Sequence, residues 1–196
     1  MARLALIASV VASVATSVAP IVVAGCTTEP RSYSASVSIH LKLKSGDTES
    51  SVVTNEKGIT TESGNPFGAF VAEAQRTLGG HDPAVIDVDK VELRLGADSS
   101  GVTTLGDVFD GDVDVLFQMN DTGNTYPVAT RALDASTSAG PIALDLEFPA
   151  DDVDEDLARM LTGSFKVVVR GDAAAGWTTK GADADVQTTF LFAAFE

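Results

Sequence analysis

Cysteine, histidine and tryptophan are scarce in this chain, whose 196 residues include one cysteine, two histidines and one tryptophan. A single cysteine excludes an internal disulfide framework and a cysteine-based zinc cluster. The sequence also lacks a glycine-rich phosphate loop, a His-Glu-x-x-His pair and a Gly-x-Ser-x-Gly elbow. Because these signatures of nucleotide-binding proteins, zinc proteases and serine hydrolases are absent, we expect no enzymatic activity.

Basic residues are also few, with 13 lysines and arginines against 28 aspartates and glutamates and a formal net charge of −15. Such a charge repels the phosphates of nucleic acids and anionic lipid surfaces. We therefore expect no nucleic-acid partner. The acidic residues form no long block, so solubility in a salty setting is their simplest explanation.

The first 25 residues have the three parts of a secretory signal. Arg3 is the lone positive charge, residues 4–18 are apolar or small, and Pro20 precedes the small residues of a cleavage site. An uncleaved transmembrane anchor is the alternative, because residues 4–25 are about long enough to cross a bilayer core. Several serines and threonines dilute the segment and no basic cluster follows it, which favours a signal peptide.

Val23, Ala24, Gly25 and Cys26 end this segment in the only cysteine of the chain. The run resembles the lipobox of bacterial lipoproteins. The resemblance implies cleavage before Cys26, a diacylglycerol on the cysteine sulfur and an acyl group such as palmitate on its amine. It therefore also implies that the thiol is unavailable as a nucleophile. Two acyl chains anchor a protein stably to a membrane, where one chain is marginal.

The resemblance implies a place in a bacterial cell envelope, with the membrane contacted through the lipid on Cys26. Thr27 follows the cysteine, whereas Asp at that position often retains Gram-negative lipoproteins at the inner membrane. In a Gram-negative organism, Thr27 therefore favours the outer membrane. The predicted organisation is a signal peptide over residues 1–25, a lipidated tether over 26–32 and one domain over 33–196. Without the signal, the net charge is about −16.

Alternating apolar and polar residues predict a series of half-buried strands. The clearest run covers residues 33–44, and turn residues at 45–47 and 55–58 predict a hairpin with a weaker strand at 50–54. Residues 121–124 predict a second hairpin turn, before an extended segment at 125–131. Further strands are predicted at residues 91–95, 113–119, 142–148, 165–169 and 186–195, the last with apolar residues on both faces, as in a strand covered on both sides.

Two helices are predicted between these strands. Asn65 and Pro66 provide a cap and a first-turn proline before apolar residues at helical spacing, which end at Gly79 and Gly80. The second helix begins near residues 151–152, carries acidic residues in its first turns and stops at Gly163. We expect a Glu155–Arg159 pair one turn apart in this second helix.

These elements predict a mainly β fold, an antiparallel β-sandwich of immunoglobulin-like or jelly-roll type with two short inserted helices. The strands follow one another without a regular strand-helix alternation, which argues against a parallel sheet. The cysteine and tryptophan hallmarks of antibody domains are missing. No family resemblance is found for the domain itself.

Asp110, Asp112 and Asp114, near Asp107, are the candidate metal ligands. In an extended segment their carboxylates project to one side, where like charges need solvation or a cation such as Ca²⁺. Asp183 and Asp185 would add ligands if they lay nearby. The spacing does not match an EF-hand, and a solvated strand is the simpler interpretation.

Trp177 is the candidate partner contact, because it lies in a long Ala- and Gly-rich loop over residues 172–184. An exposed indole is a common anchor for proteins and glycans, although an indole folded back on the sandwich is the simpler interpretation. His40 and His81 are predicted to be solvated surface residues.

We therefore expect a membrane-anchored envelope lipoprotein with a non-catalytic binding or structural role and an envelope protein or glycan as partner. One alternative is a calcium-stabilised adhesion module. The other is an envelope hydrolase, which should show a pocket joining His40 or His81 to carboxylates.

Overall fold

The computed structural model describes residues 31–62 and 64–196. The signal segment and Cys26 lie outside this part of the chain. The strands are β1 (Ser32–Lys44), β2 (Val52–Ile59), β3 (Val85–Leu95), β4 (Phe109–Met119), β5 (Thr125–Leu133), β6 (Ile142–Ala143), β7 (Asp145–Leu146), β8 (Phe165–Ala173) and β9 (Asp183–Phe195). The helices are α1 (Pro66–Thr77) and α2 (Leu157–Leu161). None of the helices described is long and apolar enough to cross a membrane.

Two antiparallel sheets face each other, one in the order β1-β9-β3-β6 and the other in the order β2-β8-β4-β5-β7. The pairs β1–β9, β2–β8, β3–β6 and β4–β5 are nested along the chain. A long antiparallel ribbon with these nested pairs, rolled so that it forms two sheets, is a jelly roll. The predicted β-sandwich is therefore confirmed, and the strand order selects the jelly roll over the immunoglobulin-like alternative.

Strand β1 shows how the alternation of the sequence produces the core. Its inward residues Val37, Ile39, Leu41 and Leu43 are buried, while the intervening serines, lysines and His40 face outward. This is the side-chain alternation expected of a strand with one dry face. The prediction for residues 33–44 is thus confirmed, with Ser32 added at the start.

The few aromatic residues are concentrated in the core. The ring centroid of Phe117 lies 5.1–6.0 Å from those of Phe165, Phe190 and Phe192. Phe67 of helix α1 lies 5.2 Å from both Phe165 and Phe192, which belong to opposite sheets. Burying each such ring contributes about 2–3 kcal/mol, so α1 helps to hold the two sheets together.

The predicted hairpin between the first two strands is wrong. β1 and β2 belong to different sheets, and the predicted turn residues 55–58 lie within β2, where they pair with residues 166–169 of β8. As an edge strand, β2 tolerates polar residues because one of its sides and much of its outer face meet solvent. The hairpin at residues 121–124 is confirmed by the pairing of β4 with β5.

The first predicted helix is confirmed and the second is only partly formed. The Asn65 side chain accepts a hydrogen bond from the Phe67 amide at 2.9 Å, which caps α1.

In place of the second predicted helix, the structure has a 3₁₀ turn (Ala150–Asp152) and the short α2. Arg159 does not pair with the Glu155 carboxylate; its Nη1 lies 2.6 Å from Oδ1 of the buried Asp156.

Two other predicted strands need correction. Residues 142–148 divide into β6 and β7, which pair with opposite sheets because the chain crosses between them here. β9 forms as predicted but is not covered on both faces. Phe190 and Phe192 are buried in the sandwich, whereas the outer face is covered unevenly: Phe195 is 37% exposed, and Asp185 at the other end of the strand is buried.

Candidate functional site

The candidate calcium ligands do not converge. Asp110 and Asp112 are exposed, and a bulge around Gly111, whose φ is 145°, disrupts the pairing of β4 with β8 there. Asp114 is occupied by Arg170, whose Nε and Nη2 each lie 3.1 Å from its Oδ2. The described part of the chain contains no group of three or more His, Cys, Asp or Glu residues placed to hold a metal ion.

Asp107 has a local structural role. Its carboxylate accepts hydrogen bonds from the Thr103 and Thr104 amides at 2.9 and 3.1 Å and caps a 3₁₀ turn. Lys180 Nζ lies 2.7 Å from its other oxygen. The hydrogen bond from Lys180, followed by those from Thr103 and Thr104, lowers the pKa of Asp107. The carboxylate thus joins two loops at one end of the sandwich.

Trp177 is not the exposed contact that was considered for a partner; its indole is folded back on the sandwich, the simpler of the two interpretations. Its side chain is fully buried, and its indole Nε1 donates to Thr48 Oγ1 at 2.8 Å. An indole buries a large apolar area, and its single polar atom finds a partner here. Trp177 therefore connects its own loop to the β1–β2 connection.

His40 and Asp185 form the candidate site that the sequence did not reveal. His40 Nδ1 lies 3.1 Å from both carboxylate oxygens of Asp185. The histidine side chain is 56% exposed, whereas the Asp185 side chain is only 5% exposed. A buried carboxylate beside one imidazole nitrogen fixes the ring orientation and leaves Nε2 available to a ligand. His40 is thus exposed as predicted, but it is held in place rather than simply solvated.

The backbone around Asp185 explains its burial. Asp185, the third residue of β9, is in register with Lys42 of β1, so its side chain lies on the outer face beside His40. Its amide donates to Ser99 Oγ at 3.0 Å, and its carbonyl accepts from the Gly96 amide at 2.7 Å. A Cβ at position 96 would overlap the Asp185 carboxylate. Glycine at that position therefore allows the β3–β4 connection to cover the carboxylate.

A groove of about 270 Å³ begins at His40 and runs between the edges of the two sheets. It is formed by residues 38–40 of β1, residues 57–59 of β2, and Asn65 with Pro66 at the start of α1. Most of its lining is apolar, and His40 and Lys57 are the two lining residues that can carry a positive charge. Among the described residues, Lys57 forms no ion pair within 4.0 Å.

Among the residues that the structure describes, no nucleophile is paired with His40. Within the described residues, its only hydrogen-bond partner is Asp185, and the nearby Ser38 hydroxyl is shared with Thr189 Oγ1 at 2.9 Å. The geometry therefore provides an oriented imidazole beside a groove, without the serine or cysteine contact of a nucleophilic triad.

Asp156 is a second buried carboxylate, with a different environment. It accepts from Asn124 Nδ2 at 2.8 Å, Tyr126 Oη at 2.7 Å and Arg159 Nη1 at 2.6 Å. Burial acts to raise its pKa, but these three hydrogen bonds outweigh burial and the pKa is lowered. Burial, together with the hydrogen bond to Asp156, raises the pKa of Tyr126. The network ties the β4–β5 hairpin to α2.

Comparison with known proteins gives no family for this chain. No protein-family model and no curated protein sequence matches it. Among solved structures, the decameric BFDV capsid protein is similar over 85% of this chain and 100% of that chain, with 13% sequence identity and a TM-score of 0.40. A likeness at that level carries no conclusion about function.

Proposed function

We propose that this chain is a lipid-anchored protein of a bacterial cell envelope that acts by binding a partner rather than by catalysis. The lipobox-like run from Val23 to Cys26 is the observation that carries the proposal. The net charge of about −16 after removal of the signal supports a partner other than nucleic acid or an anionic membrane surface.

The position of the first strand supports a defined orientation of the domain. Only five residues separate Cys26 from Ser32, so an extended chain would keep the start of β1 within about 20 Å of the anchor. The Glu196 amide donates to the Arg31 carbonyl at 3.2 Å, so the last residue of the chain lies at this same end. The lipid would therefore hold this end of the sandwich near the membrane.

The other end of the sandwich would then face away from the membrane, about 40 Å along β1. It is built from the loops over residues 45–51, 96–108, 134–141 and 174–182, which contact one another. The Ser45 amide donates to the Ala182 carbonyl at 3.0 Å, and the Leu105 amide donates to the Ser138 carbonyl at 3.1 Å.

This distal surface is both ordered and acidic. Trp177, Thr48 and the Lys180–Asp107 pair join its loops, so little conformational entropy would be lost on binding. Exposed acidic side chains on and beside these loops include Asp47, Glu49, Asp98, Asp110 and Asp134. We therefore place the contact with an envelope protein or glycan at this end, and its charge favours a partner with basic or hydrogen-bond-donating groups.

An envelope hydrolase is the second candidate, and the contact of His40 with Asp185 is the observation that favours it. The absence of a nucleophile beside His40 within the described residues makes binding the better-supported proposal. Hydrolysis of model esters that is lost in His40→Gln and kept in His81→Gln would reverse this preference.

The anchor is tested by Cys26→Ser, compared with Thr28→Ser, a substitution close to the lipobox that leaves its four residues intact. We expect the unchanged chain and Thr28→Ser to incorporate labelled fatty acid and to sediment with membranes. Cys26→Ser should incorporate no label and should either leave the membrane fraction or accumulate as an uncut precursor. Membrane attachment of Cys26→Ser equal to that of the unchanged chain would overturn the proposal.

A further inference from the structure

We infer that the groove between β1 and β2 is a binding site for a small carboxylic acid with an apolar chain, recognised by Lys57 and His40. This site lies on the side of the sandwich, away from the distal loops. It does not depend on the lipid anchor or on the proposed partner.

The apolar part of the ligand is matched by the floor of the groove. Ile39 and Ile59, from the edge strands of opposite sheets, are only 7% and 4% exposed, and Pro66 is a further apolar residue of the lining. The groove volume of about 270 Å³ is slightly below the range typical of drug-sized ligands. It therefore suits a single short hydrocarbon chain better than a ring system or a wide headgroup.

The negative charge of the ligand's carboxylate is complemented by positive groups that line the groove. In a chain with a net charge of −15, an anion is attracted only where local positive charge overcomes the overall field. Lys57 lines the groove without an ion pair among the described residues, and the neighbouring Glu56 is 2.6 Å from Lys166 Nζ. The N-terminus of the 12-residue helix α1, at Asn65 and Pro66, adds a positive dipole end.

Asp185 fixes the orientation of the His40 ring. The contact with the buried carboxylate occupies Nδ1, so Nε2 is the ring atom left to meet a ligand. In the imidazolium form both ring nitrogens donate, so Nε2 can form a charge-assisted hydrogen bond with an incoming carboxylate. The contact with the buried Asp185 thus gives the groove an imidazole of fixed orientation instead of a freely rotating surface histidine.

The experiment uses the complete chain carrying Cys26→Ser, so that no acyl chain of its own competes for the groove. The probes are octanoate, octanol and acetate, which separate the carboxylate from the hydrocarbon chain. Binding is followed by NMR of the two histidine rings, assigned with His81→Gln. Because His81 is exposed and does not line the groove, its ring is an internal control.

We expect octanoate to shift the His40 ring signals saturably and to leave those of His81 unchanged. Octanol and acetate should bind at least tenfold more weakly than octanoate. Lys57→Gln should weaken octanoate binding at least fivefold, whereas Lys42→Gln should change it less than twofold, because Lys42 lies on the same strand as His40 but outside the groove.

Three results would overturn the site. The first is equal affinity for octanol and octanoate, which would remove the role of the carboxylate. The second is equal weakening of octanoate binding by Lys57→Gln and Lys42→Gln, which would show that the lysines act through the overall charge of the protein and not through a contact in the groove. The third is the absence of any saturable shift at His40 with octanoate at millimolar concentration.

Discussion

Asp156 and Asp185 are both almost completely buried, yet their surroundings differ in kind. Asp156 receives three side-chain hydrogen bonds, from Asn124, Tyr126 and Arg159. Among the described residues, the Asp185 carboxylate has one side-chain partner, the half-exposed His40. A buried charge needs partners to offset its desolvation. Asp156 has three such partners within the fold, whereas the partner that the structure describes for Asp185, His40, also lines the groove. We conclude that Asp156 stabilises the fold and that Asp185 organises a site.

The largest expected effect is the loss of stability in Asp156→Ala. This change leaves three donors without their acceptor, and two of them are at least partly buried. We expect the free energy of unfolding to fall by about 3 kcal/mol in denaturant titrations. Asp154→Ala, an exposed neighbour, should change it by less than about 0.5 kcal/mol. A loss below about 1 kcal/mol in Asp156→Ala would contradict the structural role of this carboxylate.

A smaller loss is expected when the Asp185 site is displaced by Gly96→Ala. The new methyl group would overlap the Asp185 carboxylate, and such overpacking costs about 2 kcal/mol. Gly46→Ala is the matched control, because its new methyl group would meet no atom within 4 Å. We expect thermal and denaturant unfolding to separate the two variants clearly. Equal stability would show that Asp185 does not depend on the close approach of Gly96.

A third buried polar group differs from the two carboxylates, because we expect its removal to stabilise the protein. The Thr188 hydroxyl lies in the core with no hydrogen-bond partner among the described atoms. Thr188→Val keeps the shape and removes the unpaired oxygen, so we expect a gain of about 1 kcal/mol in unfolding free energy. Thr189→Val, whose hydroxyl contacts Ser38 on the outer face, should give no gain. A clear loss in Thr188→Val would mean that the hydroxyl has a partner after all.

The smallest expected effect is a change in how steeply the unfolding free energy falls at acidic pH. The lowered pKa of Asp156 means that its contribution to stability is present above the carboxylate's unfolded value of about 4 and is lost as the pH falls below it. Unfolding free energies measured from pH 6 to pH 2.5 should therefore decrease, and Asp156→Asn should make the decrease shallower. Part of the decrease should remain in Asp156→Asn, because the pKa of Asp107 is also lowered. An unchanged slope in Asp156→Asn would contradict the assignment.

Local patterns of the sequence predicted those features of the fold that depend on neighbouring residues of a single strand or helix. The alternation of β1 and the Asn65–Pro66 start of α1 both appear where expected. The hairpin predicted across β2 is wrong because Asn55, Lys57 and Gly58 have turn composition but occupy an edge strand, where pairing with β8 outweighs propensity. The second helix is short because Asp156, expected in its acidic first turns, is instead drawn into the Tyr126 network.

The candidate site depends on contacts that no local pattern encodes. His40 and Asp185 are 145 positions apart, and their meeting follows from the register of β1 on β9. The acidic run at Asp110, Asp112 and Asp114 was visible in the sequence, but an arginine on β8 and a bulge at Gly111 separate its members. Trp177 looked like a contact residue because its loop is long, and the buried hydrogen bond to Thr48 was not predictable from spacing.

The most direct test of the contrast between the two carboxylates is octanoate binding to Asp185→Asn and Asp156→Asn, measured at a temperature where both variants are folded. If Asp185 organises the site, Asp185→Asn should weaken octanoate binding at least fivefold. Asp156→Asn should bind octanoate within twofold of the unchanged protein, although it is the less stable variant. Equal affinities in the two variants, or a greater loss of binding in Asp156→Asn, would contradict the account.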